Sequence, residues 1–517
     1  YSSCPPFGTA TEPYRQTLTT IMQNKQIRLI LLCLGILPFV YWVYKYVNVD
    51  LWYDEVYSIS HFVLGGFKKT LFNYPLPNNH VFFNFTSQLI SRFLNTRDLN
   101  QIAEHVYVFR IFQALITLLT AYYSVQIVKR FFKLDYSLLV IPILFTTIPF
   151  MNFSLQLRGY NMSSLFLIMI VYHTWAFIKK GGKRDSIFIV VSSALLIYTI
   201  PSNIYMLASI LIILFSFFIY HKNQNKTNAK TYYKAIILIV LGIGVTITLY
   251  LPILKNIIFN RFSSRETSNI FYSLELLPQL FLAFLSKKYL LVILFITGCW
   301  FFARKSTNKE KEILFFVLLL FILPFTLSFL HQKLPFQRVF ISLSPIFCIL
   351  ITIPIIKLLE KIPITFITAI CAFIIPIYCM SVFLNEIKNN DIEISDNIVN
   401  KGKMTQDIYQ NYYLSDSFNQ KETISHLKSI TRNKTVILYN QKDNPSTSLY
   451  LAMNGVNFIK VDSQEKLEQI ILNNETTILL TSFKNHTLSN LDNINNIKST
   501  VVMDKYPITN IIRINKK

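Results

Sequence analysis

Long apolar runs alternate with short polar intervals from residue 27 to residue 384, and their lengths set the first expectation. A helix needs roughly 20 apolar residues to cross a bilayer, where every backbone amide must be satisfied within its own segment. About eleven stretches approach that length: 27–47, 106–128, 136–150, 162–178, 186–200, 202–220, 235–254, 289–302, 313–330, 339–356 and 364–384. The shorter ones read as tilted or paired spans. Beyond residue 384 the pattern changes to frequent Asn, Lys, Asp, Ser and Thr, with short runs of strand character at 435–439, 458–461, 476–481, 501–503 and 508–514. Helical spacing at 446–453 and 464–472 separates some of them, so 385–517 is predicted to be a small α/β domain.

The polar intervals are not equivalent. Lys129, Arg130 and Lys133 fall in one, Lys179, Lys180, Lys183 and Arg184 in the next but one. Lys222, Lys226, Lys230 and Lys234 come after them, then Arg304, Lys305, Lys309 and Lys311, then Lys357 and Lys361. Basic clusters in every second interval place those intervals and the N-terminus in the cytoplasm. The alternation predicts a polytopic helical membrane protein, N-terminus in and C-terminus out, with the tail as an extracytoplasmic domain. Its outer side would carry a long first loop at 48–105, a connector at 151–161, a turn at 198–203, a loop at 255–288 and a segment at 331–338. The polar, Thr-rich stretch 1–21 differs in character from the apolar run beyond it, and is expected to be a disordered or non-native extension ahead of a membrane domain at 22–384.

Composition agrees. The chain of 517 residues is 52% hydrophobic and 15% charged, and its mean hydropathy is +0.40. That excludes a disordered chain or a disulfide-stapled mini-domain. A net charge of +23 could indicate a nucleic-acid partner, but the cations sit between apolar runs, where membrane orientation explains them. No nucleic acid is expected. The six cysteines are scattered without metal-type spacing and read as packing. The tail shows no Gly-rich phosphate loop, nucleophile elbow or metal cluster. The spans carry almost no acid, which an ion-coupled transporter needs.

Candidate chemistry lies in the outer segments. Asp50-Leu-Trp-Tyr-Asp-Glu-Val-Tyr-Ser58 places Asp54 and Glu55 among large aromatics just after the first span, with 54–64 predicted as a short interfacial helix. The helix dipole alone would favour acids in that first turn. A poorly solvated carboxylate there could also take a proton from a hydroxyl. In Asn78-Asn79-His80-Val81-Phe82-Phe83-Asn84, a helix would gather Asn79, His80 and Asn84 on one face. Capping accounts for one of those asparagines but not for the whole set. Arg158, in Gln156-Leu-Arg-Gly-Tyr160, is the sole cation of a short outer connector, and Arg338 opens the tenth span from outside. A single such arginine could simply snorkel, whereas two suit a phosphate at headgroup depth.

These motifs, in this order and spacing, resemble the polytopic GT-C glycosyltransferases that use polyprenyl-phosphate sugars, specifically the protein O-mannosyltransferase and aminoarabinose-transferase superfamily. The resemblance covers about 22–384 and rests on WYDE with Ser58, NNHxxxN, RGY and the late arginine. It implies that Asp54 is the general base and that Glu55 helps to position donor or acceptor. It implies that His80, Arg158, Tyr160 and Arg338 lie at the donor phosphate, with Asn79 and Asn84 alongside. Many relatives follow the histidine position with two prolines, where this chain has Val81 and Phe82. The implied partners are a polyprenyl-phosphate sugar donor and a glycan, lipid or protein acceptor, with no cofactor required. The Asp54–Glu55 pair could still hold a divalent cation. A flippase or exporter of lipid-linked sugars, and a glycan polymerase or ligase, remain alternative readings of the same outer arginines.

Overall fold

A computed structural model of the chain describes residues 12–75, 79–132, 136–224, 229–259, 272–331, 337–360 and 365–399. In the C-terminal part it describes 427, 435–439, 444–481, 484–492, 494, 497–503 and 510–516. Of the expected extension at 1–21, residues 1–11 lie outside the described residues, and the first helix runs Glu12–Tyr46. Residues 260–271 and 332–336, within two of the expected outer loops, also lie outside them.

Among the described residues, seven helices are long and apolar enough to cross a membrane, or nine if each of two bent pairs is one span. Most of the expected spans have helices at their places, but several differ in kind. The 186–200 stretch forms the helix Lys183–Thr199, which at 17 residues is short for a span. The 136–150 stretch is broken, its halves Ser137–Phe145 and Ile148–Ser154 meeting at 75°. Local bonds accompany the break without by themselves setting it: Thr146 Oγ1 and Thr147 Oγ1 donate back to the Pro142 and Ile143 carbonyls at 2.6 and 2.8 Å, and Pro149 lies in the first turn of the next helix. A second break, between Leu276–Leu285 and Tyr289–Lys305, bends by 106° through Ser286 and Lys287, both at positive φ. The two breaks support each other, since Lys288 Nζ donates to Thr146 O at 2.8 Å and Ile148 N to Ser286 Oγ at 2.9 Å. Backbone groups freed inside an apolar bundle are thereby satisfied. The 364–384 stretch lies in a helix, Thr365–Val399, that runs on into the tail.

The tail contains a five-stranded sheet in the order β2-β1-β3-β5-β4, with β1 Thr435–Tyr439, β2 Phe458–Val461, β3 Thr476–Thr481, β4 Ile497–Met503 and β5 Asn510–Lys516. β1 pairs in parallel with β2 and β3, through crossover helices Asn444–Met453 and Gln464–Leu472, while β5 runs antiparallel to β3 and β4. Alternation along the strands gives the sheet two apolar faces. Ile437, Leu479 and Ile512 close one face against Leu467 and Ile471. Val436, Leu438, Ile478 and Leu480 belong instead to the core that runs through the membrane helices. The Asn444–Met453 helix lies at this junction, and the Leu51 amide donates to the Tyr450 hydroxyl at 2.7 Å.

Candidate functional site

The site is assembled where the first helix ends. A helix C-terminus leaves carbonyls without intrahelical partners, and here the buried Arg110 collects them. Its Nη1 donates to Tyr46 O at 3.0 Å and Val49 O at 2.6 Å, and its Nη2 to Asp50 O at 3.2 Å. Nη2 also lies 3.4 Å from Glu55 Oε2. Glu55 sits at the third position of the short helix Tyr53–Ser58, and its Oε2 accepts from Trp52 N at 3.1 Å, the reach-back half of a capping box. Its Oε1 accepts from Leu157 N at 2.7 Å. Glu55 therefore joins the first loop to the connector that carries Arg158.

With Glu55 turned to one side, the helix presents Asp54 to the other. Asp54 is 6% exposed, and its Oδ2 accepts from Arg338 Nη1 at 2.8 Å, with Arg158 Nη2 at 3.9 Å. Arg158 is also held from below: its Nη1 donates to Asp54 O at 3.3 Å and to the Ser58 hydroxyl. Gln113 Nε2 donates to Arg158 O at 3.1 Å, and Asn161 Nδ2 to Gln113 O at 2.8 Å and Ser154 O at 3.1 Å. Arg338 enters from the 3-10 helix Gln337–Leu343, and its side chain, 22% exposed, forms the accessible edge of the cluster.

His80 completes the arrangement from the start of the helix Val81–Phe93. Its Nδ1 accepts from Gly159 N at 2.8 Å. Burial, and then the charges of Arg158 and Arg338, hold its pKa well below the usual histidine value, so the ring is neutral. A neutral imidazole that accepts at Nδ1 carries its proton on Nε2. That Nε2 lies 3.3 Å from Arg158 Nη2, so two N–H donors stand side by side. Two donors cannot bond each other, and one oxyanion placed between them would accept from both. Gly159 is required by this approach: a Cβ there would come within 2.6 Å of Thr199 Cγ2 and 3.1 Å of His80 Nδ1. The Tyr160 ring meets His80 edge-on at 4.9 Å, with the Arg158 and Arg338 guanidiniums each 5.9 Å from its centroid.

Asp54, His80, Arg158, Tyr160 and Arg338 thus surround one point. Asn79 and Asn84 stand behind it: Asn84 Nδ2 donates to Asn79 Oδ1 at 2.9 Å, and Asn79 Nδ2 to Thr70 O and Asn73 O. They shape the loop that delivers His80. Sequence reasoning does not single out Arg110, Gln113, Asn161 or Tyr450. Arg110 carries the same signal as Arg158, a lone cation at the edge of an apolar run. Tyr450 carries none, being 399 residues from its partner.

Asp54 and Glu55 turn to different partners, and among the described residues no three His, Cys, Asp or Glu side chains converge as a metal set would. The chemistry this arrangement offers is anion binding beside a buried carboxylate.

No family model matches the chain, and no curated protein matches it significantly. Among solved structures, the chain is similar to ArnT from Cupriavidus metallidurans bound to undecaprenyl phosphate. The two are 10% identical, with 93% of this chain and 97% of that one covered and a TM-score of 0.45. It is likewise similar to the apo state of the same protein, 9% identical over 97% of this chain and 98% of that one, TM-score 0.45. ArnT is an aminoarabinose transferase, from the group that the motifs resemble.

Proposed function

We propose that this chain is an integral membrane glycosyltransferase that moves a sugar from a polyprenyl-phosphate donor to an acceptor hydroxyl on the extracytoplasmic face. The observation that carries the reading is one oxygen: Asp54 Oδ2 is shared by Arg338 and Arg158 beside the neutral His80. A general base and a phosphate cradle then lie in contact.

The donor's phosphodiester takes up the Arg158, Arg338 and His80 Nε2 donors, and drawing Arg338 away releases Asp54 Oδ2. The acceptor oxygen attacks the anomeric carbon as its proton passes to Asp54. The bond from that carbon to the phosphate oxygen breaks, and polyprenyl monophosphate leaves with its charge met by the two guanidiniums. A single displacement inverts the anomeric centre. No cofactor is required in this reading, and the acceptor is a glycan, a lipid or a protein.

The test uses purified protein in detergent with a panel of short-chain polyprenyl-phosphate sugars, a membrane extract as acceptor source, and release of polyprenyl phosphate as readout. Wild type should release it, and Asp54→Asn should lose about two to four decades of rate while still binding donor. Binding without release from either protein would falsify the reading and favour a carrier.

A further inference from the structure

The tail supplies no group to the displacement proposed above, yet it bonds to the loop that carries the base. Between the end of the first helix at Tyr46 and the helix Tyr53–Ser58 lie six residues of turn and irregular backbone, 47–52. Such a segment has no ladder of its own, so its polar groups take partners from elsewhere. Arg110, on the Val106–Phe131 helix, collects the carbonyls of Val49 and Asp50. The Tyr450 hydroxyl, on the tail helix Asn444–Met453, takes the Leu51 amide at 2.7 Å. Leu51 and Tyr450 are 0% and 1% exposed, so water is kept from this bond. Burial, and then the Asp50 charge, hold the Tyr450 pKa well above the usual tyrosine value, so the group stays a neutral hydroxyl.

The bond falls one residue before Trp52, the N-cap of the helix that presents Asp54. That helix has six residues, too few to hold itself, and its direction and rotation follow the backbone that feeds it. Rotation is what matters here. It turns Glu55 Oε1 toward Leu157 N and Asp54 Oδ2 toward Arg338. At the roughly 5–6 Å radius of helix side chains, a turn of about 10° moves a carboxylate by about 1 Å. A misplacement of about that size can cost on the order of a hundredfold in rate.

We infer that Tyr450 is a positioning residue for Asp54: the C-terminal domain lends one hydroxyl to the 47–52 segment and so fixes the rotation at which the base is presented. Asp54's role as base rests on the glycosyltransferase reading; the contact from Tyr450 does not. The hydroxyl is the informative atom. Packing would be served as well by phenylalanine, and the tail closes its other sheet face with Ile437, Leu479 and Ile512 against Leu467 and Ile471, a set that does not include Tyr450.

The test compares the full-length wild type with Tyr450→Phe, which keeps the ring and removes the hydroxyl. Hydrogen exchange at the amides of 50–56 should quicken about fivefold, as loss of one hydrogen bond gives, while the tail strands exchange as in wild type. In the polyprenyl-phosphate release assay, kcat should fall about ten- to a hundredfold. Affinity for the lipid-phosphate sugar should not weaken, because Arg158, Arg338 and His80 come from other segments. Tyr439→Phe, which removes the hydroxyl of a buried tyrosine on the other sheet face, should change neither readout. An unchanged kcat in Tyr450→Phe overturns the inference. So does a parallel loss of kcat and sugar-lipid affinity, which marks collapse of the whole site, or faster exchange throughout the tail, which makes the hydroxyl a part of the tail's own fold. No release by wild type overturns the glycosyltransferase reading and the role of Asp54 with it, and exchange then still reports whether Tyr450 holds the segment.

Discussion

At one end of the bundle one carboxylate, Asp54, faces two guanidiniums, while at the other end two largely buried histidines each meet one carboxylate. There, His221 Nε2 lies 3.1 Å from Glu312 Oε1, which also accepts from the Tyr232 hydroxyl, and the His221 and Tyr232 rings stack. This set joins the helices Ile204–Asn223, Ala229–Tyr250 and Asn308–Leu330. Nearby, His173 Nδ1 lies 2.8 Å from Asp185 Oδ1, with the Tyr123 hydroxyl 3.3 Å from its other ring nitrogen. Both ends bury histidine with carboxylate, so burial does not distinguish a site from a brace. Access and partner type do. The histidine–carboxylate sets join helices, whereas among the described residues Asp54 meets two guanidiniums, one of which, Arg338, forms an accessible edge.

The comparison is broken most severely at Arg338. Arg338→Gln should lower transfer about a hundredfold, as loss of one donor to a leaving phosphate does, with little change in the melting temperature. The paired end should behave in the opposite way. Glu312→Ala leaves His221 and Tyr232 without their acceptor and should cost about 3 kcal/mol of stability, while activity per folded molecule stays at the wild-type value. A transfer assay and a thermal melt on both variants separate the two ends; loss of activity in folded Glu312→Ala would remove the distinction. Gly159→Ala sharpens it from within the site, because its methyl group must displace Thr199 or His80. About 1–3 kcal/mol of strain is expected, with weakened donor binding by titration.

The smallest effect is a pH dependence. The folded chain holds His80 neutral to a pH well below the ordinary histidine value of 6.5. In that window the unfolded chain binds one more proton than the folded one, so stability is full above pH 6.5 and declines as pH falls below it. Chemical denaturation between pH 5 and pH 7 should show this slope in wild type, and His80→Gln should flatten it.

Much of this was legible from the chain because lipid imposes simple rules. Hydropathy located most spans, since no other pattern survives in hydrocarbon, and Asp54, His80, Arg158 and Arg338 stood out as polar groups at apolar edges. The breaks at Thr146–Thr147 and Ser286–Lys287 were not visible, because each is stabilised by the other across 142 residues, from Lys288 to Thr146. Opposite fates for two adjacent acids were equally hidden. Which of Asp54 and Glu55 meets Leu157 depends on the rotation of a six-residue helix, and no spacing rule reaches that. In the tail, three strands matched the short apolar runs residue for residue, because a β-rich segment bounded by polar turns admits few alternatives.

The bond from Leu51 to Tyr450 has a consequence for biogenesis. The ribosome delivers Leu51 and Asp54 to the membrane long before Tyr450 is made, so their loop lacks its last acceptor through most of synthesis. The Asn444–Met453 helix, and the strand face bearing Val436 and Leu438, can seat only after the tail has been synthesised. A nascent chain thus carries an unfinished centre while its neighbours insert, and docking of its own final segment is the step that matures it.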